Sequence, residues 1–488
     1  MCRACHKRSD ASGAAVLNLF LTAFVLAFLG AGMRRPFLLV LAYTYIDIVA
    51  PQKVTWGFLA HIPISLIAFV CAFGAWMVAE NKQGIRFSFR QFLLLLLLVY
   101  CGLTTRTADF PVEAAEKWGW VWKALVFAMF LPLTLRTRLR IEALALVMVL
   151  SISVIVIGGG IKTLSSGGGY GELKLLVNDN TGLYEGSTLS MAAVAIMPLI
   201  YWLARYGTIF KPGKLVTLYA LGLGFACLLI PVGTQTRTGL LCVLLLGVLV
   251  LRTTQRRFTY LAAAGILALV AMPFLPKSYT DRMSTIENHQ SDQSASTRVA
   301  VWKWTWEFAK HNPFGGGFEA YRQNEVSYKT VNTDYAGKNN AALETNDIVE
   351  KGRAYHSAYF EMLGEQGYPG LGLWLTLHLL GLWQMERVRA RWTKRGGPQE
   401  SLPDARWIGP LANALQQGQL VYMVGGSFVG IAFQPFMYML IGLQIGLRAY
   451  AMRIDPSRET FRPLRPDDAQ ARAATQARPG QPPLAAPR

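Results

Sequence analysis

The sequence has few charged side chains. Asp, Glu, Lys and Arg make up 16% of its 488 residues, whereas hydrophobic residues make up 52%, and the mean hydropathy is +0.30. This composition excludes an ordinary soluble globular protein. Apolar runs such as QFLLLLLLVYCGL approach the length that spans a hydrocarbon core of roughly 30 Å. Because backbone groups in lipid must be satisfied within helices, the sequence predicts an all-α polytopic membrane protein.

Motifs for nucleotides and metals are also lacking. The chain has no G-x-x-x-x-G-K-[ST] phosphate loop and no cluster of His, Cys, Asp and Glu at metal-ligand spacing. The loops predicted on the outer side hold no D-x-D pair for a divalent ion on a diphosphate, since Asp179 stands between two asparagines. We therefore expect no metal and no cofactor, so an anionic ligand would be held by arginines.

Cysteine is scarce, with six residues in the chain. Four of them lie in apolar runs and are predicted to be small buried hydrophobes (Cys71, Cys101, Cys227 and Cys242). Cys2, Cys5 and His6 match the C-x-x-C-H pattern of haem c attachment. No predicted domain surrounds this pattern, so a chance match on a basic flank is the favoured interpretation.

Positive charge is in excess, with a formal net charge of +19. Nucleic acid would be one interpretation, but Lys and Arg lie between apolar runs in regular alternation, which indicates membrane topology instead. Five alternate loops hold 17 Lys and Arg, and the five loops between them hold 6. The first set is therefore predicted to be cytoplasmic (80–90, 136–140, 205–214, 252–257 and 385–395). No nucleic-acid partner is expected.

The apolar runs predict twelve to thirteen spans. They lie near 13–33, 36–50, 57–79, 91–105, 118–135, 141–160, 187–204, 215–232, 238–251, 258–276, 368–384, 408–424 and 432–452. Twelve is favoured if the first two segments form one crossing that is broken around Arg34 and Arg35. The predicted parts are a first transmembrane block, a large outer loop, a second block and a disordered cytoplasmic tail (1–276, 277–356, 357–453 and 454–488, in that order).

The outer loop is too long to be a passive connector. It contains a predicted helix over residues 297–310 with an apolar face at helical spacing (Val299, Trp302, Trp306 and Ala309). The tryptophans of this helix favour a position at the membrane interface. Packing against the transmembrane bundle is an equally good interpretation.

Three basic residues stand at predicted helix starts on the outer side. Arg237 lies in PVGTQTRTGLL, Arg298 in SASTRVAVWKW and His356 in RAYHSAY. A cation in a first turn opposes the helix dipole unless an anion is bound, and helix N-termini bind phosphate through free N–H groups. The two arginines therefore predict a phosphate or pyrophosphate site. A neutral histidine beside it predicts a general base for a hydroxyl.

Each of these residues also has a simpler interpretation. Arg237 fits an interfacial side chain whose charge reaches water, and Arg298 fits a surface charge. His356 fits a capping or packed histidine. The three together favour a functional site more strongly than any one of them does.

Three further residues are weaker candidates. Arg322 and Arg353 are loop cations that would contact phosphate or the acceptor, although solvated charge is the favoured interpretation. Glu365 follows His356 within one predicted helix. It is predicted to be a helix-surface charge, with orientation of a partner residue as the alternative.

Three segments resemble motifs of one family. STRVAVWKWTWEFAKHNPFGGGFEAYR resembles R-x-x-x-W…HP-[FL]-x-G-x-G-[FY], and AYHSAYFEMLGEQGYPGLGLWL resembles H-[NS]-x-[YF]-x-x-x-L-x-E-x-G-x-x-G. TQTRTGLL is similar to the [ST]-R-[GT] helix start of the same family, the O-antigen ligase and polymerase superfamily. The N-terminal RRPFLLVLAYTYIDIVAPQKVTWGF looks like its subgroup of exosortase-associated O-glycosylation ligases.

The resemblance implies a bacterial inner-membrane glycosyltransferase of GT-C-like architecture with an active site facing the periplasm. As a lipopolysaccharide O-antigen ligase it would take a glycan from undecaprenyl pyrophosphate. It would transfer that glycan to a sugar hydroxyl of lipid A–core, without metal or nucleotide. Arg237 and Arg298 would then bind the pyrophosphate, and His356 would activate the acceptor. One base acting opposite a pyrophosphate leaving group predicts inversion at the anomeric carbon.

Other functions stay open at this level. An O-antigen or exopolysaccharide polymerase would use the same donor with a second lipid-linked glycan as acceptor, and a protein O-oligosaccharyltransferase would use Ser or Thr. A transporter of lipid-linked glycan would show inverted repeats and charged residues at the bilayer midplane. The sequence shows no internal repeat, and its notable polar residues lie near the predicted outer ends of spans, which favours an enzyme with a surface site.

Overall fold

The computed structural model is mostly helical and describes residues 3–55, 58–80, 82, 86–165, 183–253, 256–259, 262, 265–266, 293–334 and 342–455. The first helices are α1 (Arg3–Arg34), α2 (Pro36–Val49), α3 (Pro51–Val54), α4 (Ile64–Ala79), α5 (Phe89–Arg106), α6 (Pro111–Thr134), α7 (Arg138–Ser165), α8 (Gly186–Tyr206), α9 (Lys214–Gly233) and α10 (Arg237–Thr253). Then come α11 (Gln293–His311), β1 (Glu325–Asp334), β2 (Ala342–Lys351), α12 (Ala358–Thr393), α13 (Pro398–Ser401), α14 (Ile408–Gly425) and α15 (Pro435–Ile454).

The helices begin where the sequence supplies start signals. Proline occupies the first position of α2, α6 and α15, where its missing N–H would have no helical partner. α5 begins with a capping box between Ser88 and Gln91. The predicted spans 91–105, 187–204 and 215–232 agree with α5, α8 and α9. The predicted break between the first two segments is present, because α1 ends at Arg34 and α2 begins at Pro36.

Within the described residues, α5, α7, α8 and α9 are long and apolar enough to cross a membrane. Residues 18–34, α2 and α4 are apolar but shorter. Large apolar side chains point away from the protein interior on α9, where Leu218 and Leu221 are more than 60% exposed. The chain is a multi-pass membrane protein. The number of crossings and their sidedness stay predictions, and most of the predicted span 258–276 lies outside the described residues.

Small residues bring the central helices together. A Cβ on Gly442 of α15 would lie 2.8 Å from Leu131 Cδ2 of α6, and a Cβ on Gly446 would lie 2.6 Å from Leu135 Cδ1. A Cβ on Gly418 of α14 would lie 2.8 Å from the carbonyl oxygen of Ala195 in α8. Close approach through small residues is how helices pack in membranes, where the hydrophobic effect does not drive association.

A polar chain runs through the bundle interior and was not predicted. Arg90 Nη2 donates to Gln444 Oε1 at 2.9 Å, and Gln444 Nε2 donates to Gln419 Oε1 at 2.9 Å. Gln419 Nε2 lies 3.1 Å from His378 Nδ1. All four side chains are fully buried. Arg90 had been counted among the loop cations, but it lies in the first turn of α5 and points into the protein.

The loop predicted on the outer side contains a β-hairpin, so the prediction of an all-α chain is wrong there. β1 and β2 pair antiparallel with Glu325 opposite Lys351. β1 carries the β-branched residues of the sequence EVSYKTVNTD, which favour a strand. At the hairpin base, Asn324 is fully buried and exchanges hydrogen bonds with the backbone of Arg353, at 2.7 and 2.9 Å.

Two glycine-rich segments interlock where the loop meets α12. Tyr368 N donates to the carbonyl of Pro313 at 2.9 Å, and Gly317 N donates to the carbonyl of Glu365 at 2.9 Å. Gly315 and Gly367 have φ of 81° and 63°, values that L side chains rarely adopt. A Cβ on either glycine would collide with backbone of the other segment. The G-G-G and E-Q-G motifs are therefore two halves of one joint, which we call the glycine joint.

Candidate active site

The start of α10 is held by a cluster of hydroxyl groups. Ser190 Oγ of α8 lies 2.8 Å from Thr234 Oγ1 and 3.0 Å from Thr236 Oγ1. Between these threonines, Gln235 has φ of 51°, a left-handed conformation that is strained for a residue other than glycine. Arg237 follows as the first residue of α10, as predicted. The turn thus holds the start of α10 against the second turn of α8.

His356 is held in a similar way. Its φ is 46°, again left-handed. On one side of it, the carbonyl of Tyr355 accepts a 2.8 Å hydrogen bond from Trp302 Nε1 of α11. On the other side, Ala358 N donates to the carbonyl of Gly426, just after α14, at 2.7 Å. His356 precedes α12 by two residues, so it stands before the helix rather than in its first turn.

α11 packs against the start of α12 through Trp302. The indole stacks on Phe360 with ring centroids 5.1 Å apart and an interplanar angle of 5°. This supports the packing interpretation of α11, although the predicted apolar face is only partly right. Trp306 and Val299 are about half exposed (50% and 46%), whereas Val301 and Thr305 are fully buried.

Arg298 lies one helical turn before Trp302. α11 begins at Gln293, four residues earlier than predicted, so Arg298 sits in the second turn and not the first. The argument that placed it at a helix N-terminus is therefore wrong. Its side chain nevertheless lies close enough to His356 for their charges to interact.

The electrostatics of His356 favour the neutral imidazole. His356 is exposed to solvent, yet partial desolvation by the surrounding protein lowers the pKa of His356 from its ordinary 6.5, and the charge of Arg298 lowers it further. Arg353 acts in the same direction, and the carboxylate of Glu185 opposes it. A histidine with a lowered pKa is neutral at pH 7 and can accept a proton.

Arg237 is connected to His356 through the start of α8. Thr236, its neighbour, contacts Ser190 in the second turn of α8. The same helix is capped by Glu185, whose charge acts on His356. The charges of Arg298 and Arg353 thus act on His356, and Arg237 lies next to a turn that contacts α8.

The two weaker arginine candidates have acidic partners. Arg322 Nε lies 3.2 Å from Glu319 Oε2, and its Nη1 lies 3.7 Å from Glu113 Oε1. Arg353 Nε donates to Glu350 Oε2 at 2.5 Å. Both side chains are partly exposed, at 43% and 49%. A phosphate ligand would compete with these carboxylates, so both arginines are secondary candidates.

A buried ionic cluster lies at the start of α12. Lys117 of α6 contacts Glu361 at 2.7 Å and Glu365 at 2.8 Å, and Glu319 lies 4.0 Å away. Glu365 has no exposed side-chain surface, so its interpretation as a helix-surface charge is wrong. It also accepts from Glu319 N at 3.0 Å. The cluster fastens α6 and the end of the glycine joint to α12.

Tyr355 links this cluster to the histidine that follows it. Its side chain is buried, and its hydroxyl has no hydrogen-bond partner among the described residues. Burial raises the pKa of the Tyr355 phenol well above its usual value, and the carboxylate of Glu365 adds to this effect. The ring packs edge-on against Tyr321 with centroids 5.6 Å apart. Tyr355 therefore stays a neutral phenol and forms part of the packed support of His356.

Sequence reasoning missed Glu185 and Lys117. A signal for Glu185 was present, because an acidic residue directly before G-S-T at the start of an apolar run is a helix-start pattern. Lys117 gave no such signal, since its partners Glu361 and Glu365 lie 244 and 248 residues away. Among the described residues, no group of three or more His, Cys, Asp and Glu is arranged to hold a metal ion.

Two protein families match separate segments of the chain. Residues 16–208 match a family of unknown function (DUF5935), and residues 222–375 match the family described as O-Antigen ligase. No curated protein matches the chain. The second match contains Arg237, Arg298 and His356, and it supports a glycosyltransferase role of the ligase or polymerase type. The resemblance predicted from the motifs is therefore confirmed over residues 222–375, where the match supports the O-antigen ligase superfamily.

Proposed function

We propose that the protein is an O-antigen ligase of the bacterial inner membrane. It transfers a glycan from undecaprenyl pyrophosphate to a sugar hydroxyl of lipid A–core on the periplasmic side, with no metal or cofactor. One observation carries the proposal: within the segment that matches O-antigen ligases, a left-handed His356 lies in the electrostatic field of Arg298. Such a pair supplies a neutral base beside a fixed cation.

The proposed reaction is a single displacement. The acceptor oxygen forms a bond to the anomeric carbon while the bond from that carbon to the pyrophosphate oxygen breaks. The acceptor proton passes to the imidazole of His356, and the pyrophosphate leaves with the electron pair. Arg298 and Arg237 hold its developing negative charge, as pre-positioned cations do in phosphoryl leaving-group sites. Attack opposite the leaving group inverts the anomeric carbon.

The proposed reaction also suggests roles for other parts of the chain. Arg322 and Arg353 lie on the loop and would assist with phosphates of the donor or acceptor once their carboxylate partners are displaced. α11 lies at the membrane interface with Trp306 outward, while its other face packs on α12. Nearly all of the predicted cytoplasmic tail, residues 456–488, lies outside the described residues.

The test is transfer in vitro with purified protein, undecaprenyl-pyrophosphate glycan, lipid A–core and excess chelator. Wild type should give a ladder of enlarged lipopolysaccharide, and His356→Ala, Arg298→Ala and Arg237→Ala should each lose it by about 100-fold or more. His311→Ala and Arg395→Ala remove exposed residues away from the site and should keep wild-type rates. Equal activity of all five variants would refute the assignment of the site.

The acceptor decides between related reactions. A donor glycan that lengthens in the absence of any lipid A–core product would show a polymerase, and label on Ser or Thr would show a protein O-oligosaccharyltransferase. Loss of product on adding chelator would overturn the metal-independent mechanism. Each of these outcomes can be read from the same gel when donor and acceptor carry different labels.

A transporter is the second candidate, and one observation favours it. The buried chain from Arg90 to His378 places a cation and a titratable ring inside the bundle, where a transport pathway would have them. A transporter would move lipid-linked glycan across sealed vesicles without forming a new glycosidic bond. Arg90→Gln would then abolish movement and His356→Ala would leave it intact, the reverse of what a ligase predicts.

A further inference from the structure

One indole contacts the chain on both sides of His356. Trp302 Nε1 of α11 donates to the carbonyl of Tyr355 at 2.8 Å, and Tyr355 directly precedes the histidine. The ring of Trp302 stacks on Phe360 in the first turn of α12, with centroids 5.1 Å apart and an interplanar angle of 5°. A single side chain therefore holds the short segment that contains His356 at both of its ends.

The segment after α14 meets the same place. Ala358 N donates to the carbonyl of Gly426 at 2.7 Å. Phe428 follows shortly after Gly426, and its ring centroid lies 6.5 Å from that of Trp302. The indole of Trp302 is thus close both to the start of α12 and to the chain that leaves α14, so it lies where three elements meet.

A second residue of α11 packs with the chain just before His356. Val301 and Tyr355 are buried in one small apolar cluster together with Val326 of β1. α11 therefore fixes Tyr355 through its side chain as well as through its carbonyl. The left-handed backbone of His356, with φ of 46°, persists only where such contacts hold it.

Arg298 is carried by the same helix that makes these contacts. It stands four residues before Trp302, so the two side chains lie on one face of α11 with Cα atoms about 6 Å apart. The charges that act on the imidazole of His356 belong to Arg298, Arg353 and Glu185. Among these three, Arg298 belongs to the helix that contacts the chain on both sides of the histidine.

We propose that Trp302 is a positioning residue, which sets the separation between the imidazole of His356 and the guanidinium of Arg298. This inference rests on the proposed function, in which the imidazole takes the acceptor proton and the guanidinium holds the pyrophosphate. Both groups must fit one substrate at the same time, and a misplacement of about 1 Å can cost about 100-fold in rate. A rigid indole, fixed by a hydrogen bond and a stacked ring, keeps the two groups at a constant separation.

The kinetic test compares two substitutions in the full-length protein. Trp302→Phe keeps an aromatic ring and loses the N–H donor, whereas Trp302→Leu loses both. Transfer should fall about tenfold in the first variant and about 100-fold in the second, mainly through kcat. Trp306→Phe makes the same change on the exposed face of α11 and should keep the wild-type rate. Wild-type transfer by Trp302→Phe would overturn the proposal.

A double-mutant cycle separates positioning from a purely structural role. The pKa of His356 is measured by NMR of 13C-labelled histidine in detergent micelles, with the signal assigned by His356→Asn. It should rise in Trp302→Phe, because the ring is no longer held near the cation of Arg298. In the Arg298→Gln background, the same substitution should have about half the effect or less.

Equal shifts of the His356 pKa in the two backgrounds, or no shift in either, would overturn the proposal, because Trp302 would then act independently of the cation. The milder variant, Trp302→Phe, keeps the cycle usable if Trp302→Leu does not fold. The titration needs no glycan. If wild type transfers nothing, the proposed function fails, while the cycle still decides whether Trp302 positions His356 against Arg298.

Discussion

The ammonium of Lys117 lies 2.8 Å from Oε1 and 2.9 Å from Oε2 of Glu365, a carboxylate with no exposed side-chain surface. The two residues come from α6 and α12, which are far apart in the chain. Glu365 is also part of the glycine joint, because its carbonyl accepts a hydrogen bond from Gly317 N. Loss of the contact between Lys117 and Glu365 should therefore affect both the proposed site and the stability of the bundle.

Lys117→Met should destabilise the protein by about 3–5 kcal/mol, because it leaves buried carboxylates without their cation. Lys310→Met breaks a 2.7 Å pair with Glu307 whose side chains are 48% and 63% exposed, and should cost less than about 1 kcal/mol. Thermal unfolding of the purified protein in detergent compares the two. Equal unfolding temperatures for both variants would show that the buried pair is not a stabilising contact.

Gly367→Ala should destabilise the joint by at least about 1–2 kcal/mol, the usual cost of a left-handed residue with a side chain. The collision of the new Cβ with the carbonyl of Pro313 adds to that cost. Gly372→Ala is the matched control in the same helix, because a Cβ there meets nothing within 4 Å. Unfolding temperature and transfer rate should both fall for the first variant only; equal behaviour would contradict the interlocked geometry.

The pH dependence of transfer follows from the lowered pKa of His356. The proposed base would work as the neutral imidazole, so kcat/KM should fall with decreasing pH only once the pH drops below the ordinary histidine value of 6.5. Removing the cation in Arg298→Gln should move this acid limb to higher pH. If kcat/KM of the wild type already falls at a pH above 6.5, His356 is not the base. The same conclusion follows if the pH at which kcat/KM falls is unchanged in Arg298→Gln.

Pyrophosphate binding should raise the pKa of His356, because the anion offsets the charge of Arg298 beside the ring. Titration of labelled histidine with and without inorganic pyrophosphate measures the shift, and sulfate at equal ionic strength controls for screening. Arg298→Gln should reduce the response. A shift of the same size with sulfate would mean that general salt effects, and not a pyrophosphate site, act on the ring.

The sequence predicted the helices well because apolar runs of membrane length leave little choice of structure. It also predicted that Arg237 begins a helix, since the T-Q-T-R turn is a local feature. It placed Arg298 and His356 less accurately, because their positions depend on where α11 and α12 begin. The buried face of α11 was partly wrong: a helix with several tryptophans has more than one apolar face, and contact with Phe360 selects among them.

Sequence patterns could not predict contacts between distant parts of the chain. Glu365 was predicted to be a surface charge because its partner Lys117 lies in another helix. Arg90 was counted as a loop cation because its partner Gln444 is 354 residues away. Glu185 was missed because the histidine on which its charge acts lies in a different loop. The role of a polar residue in a membrane protein thus depends on partners that only the folded chain places beside it.

Both ends of the hairpin between residues 325 and 351 are held by contacts with other parts of the protein. Asn324 clamps its base to Arg353, and the glycine joint anchors the chain on the N-terminal side. On the C-terminal side, Val326 of β1 packs with Tyr355, the residue directly before His356. The base of the hairpin is therefore part of the packing that supports the proposed base, and a change there would reach His356.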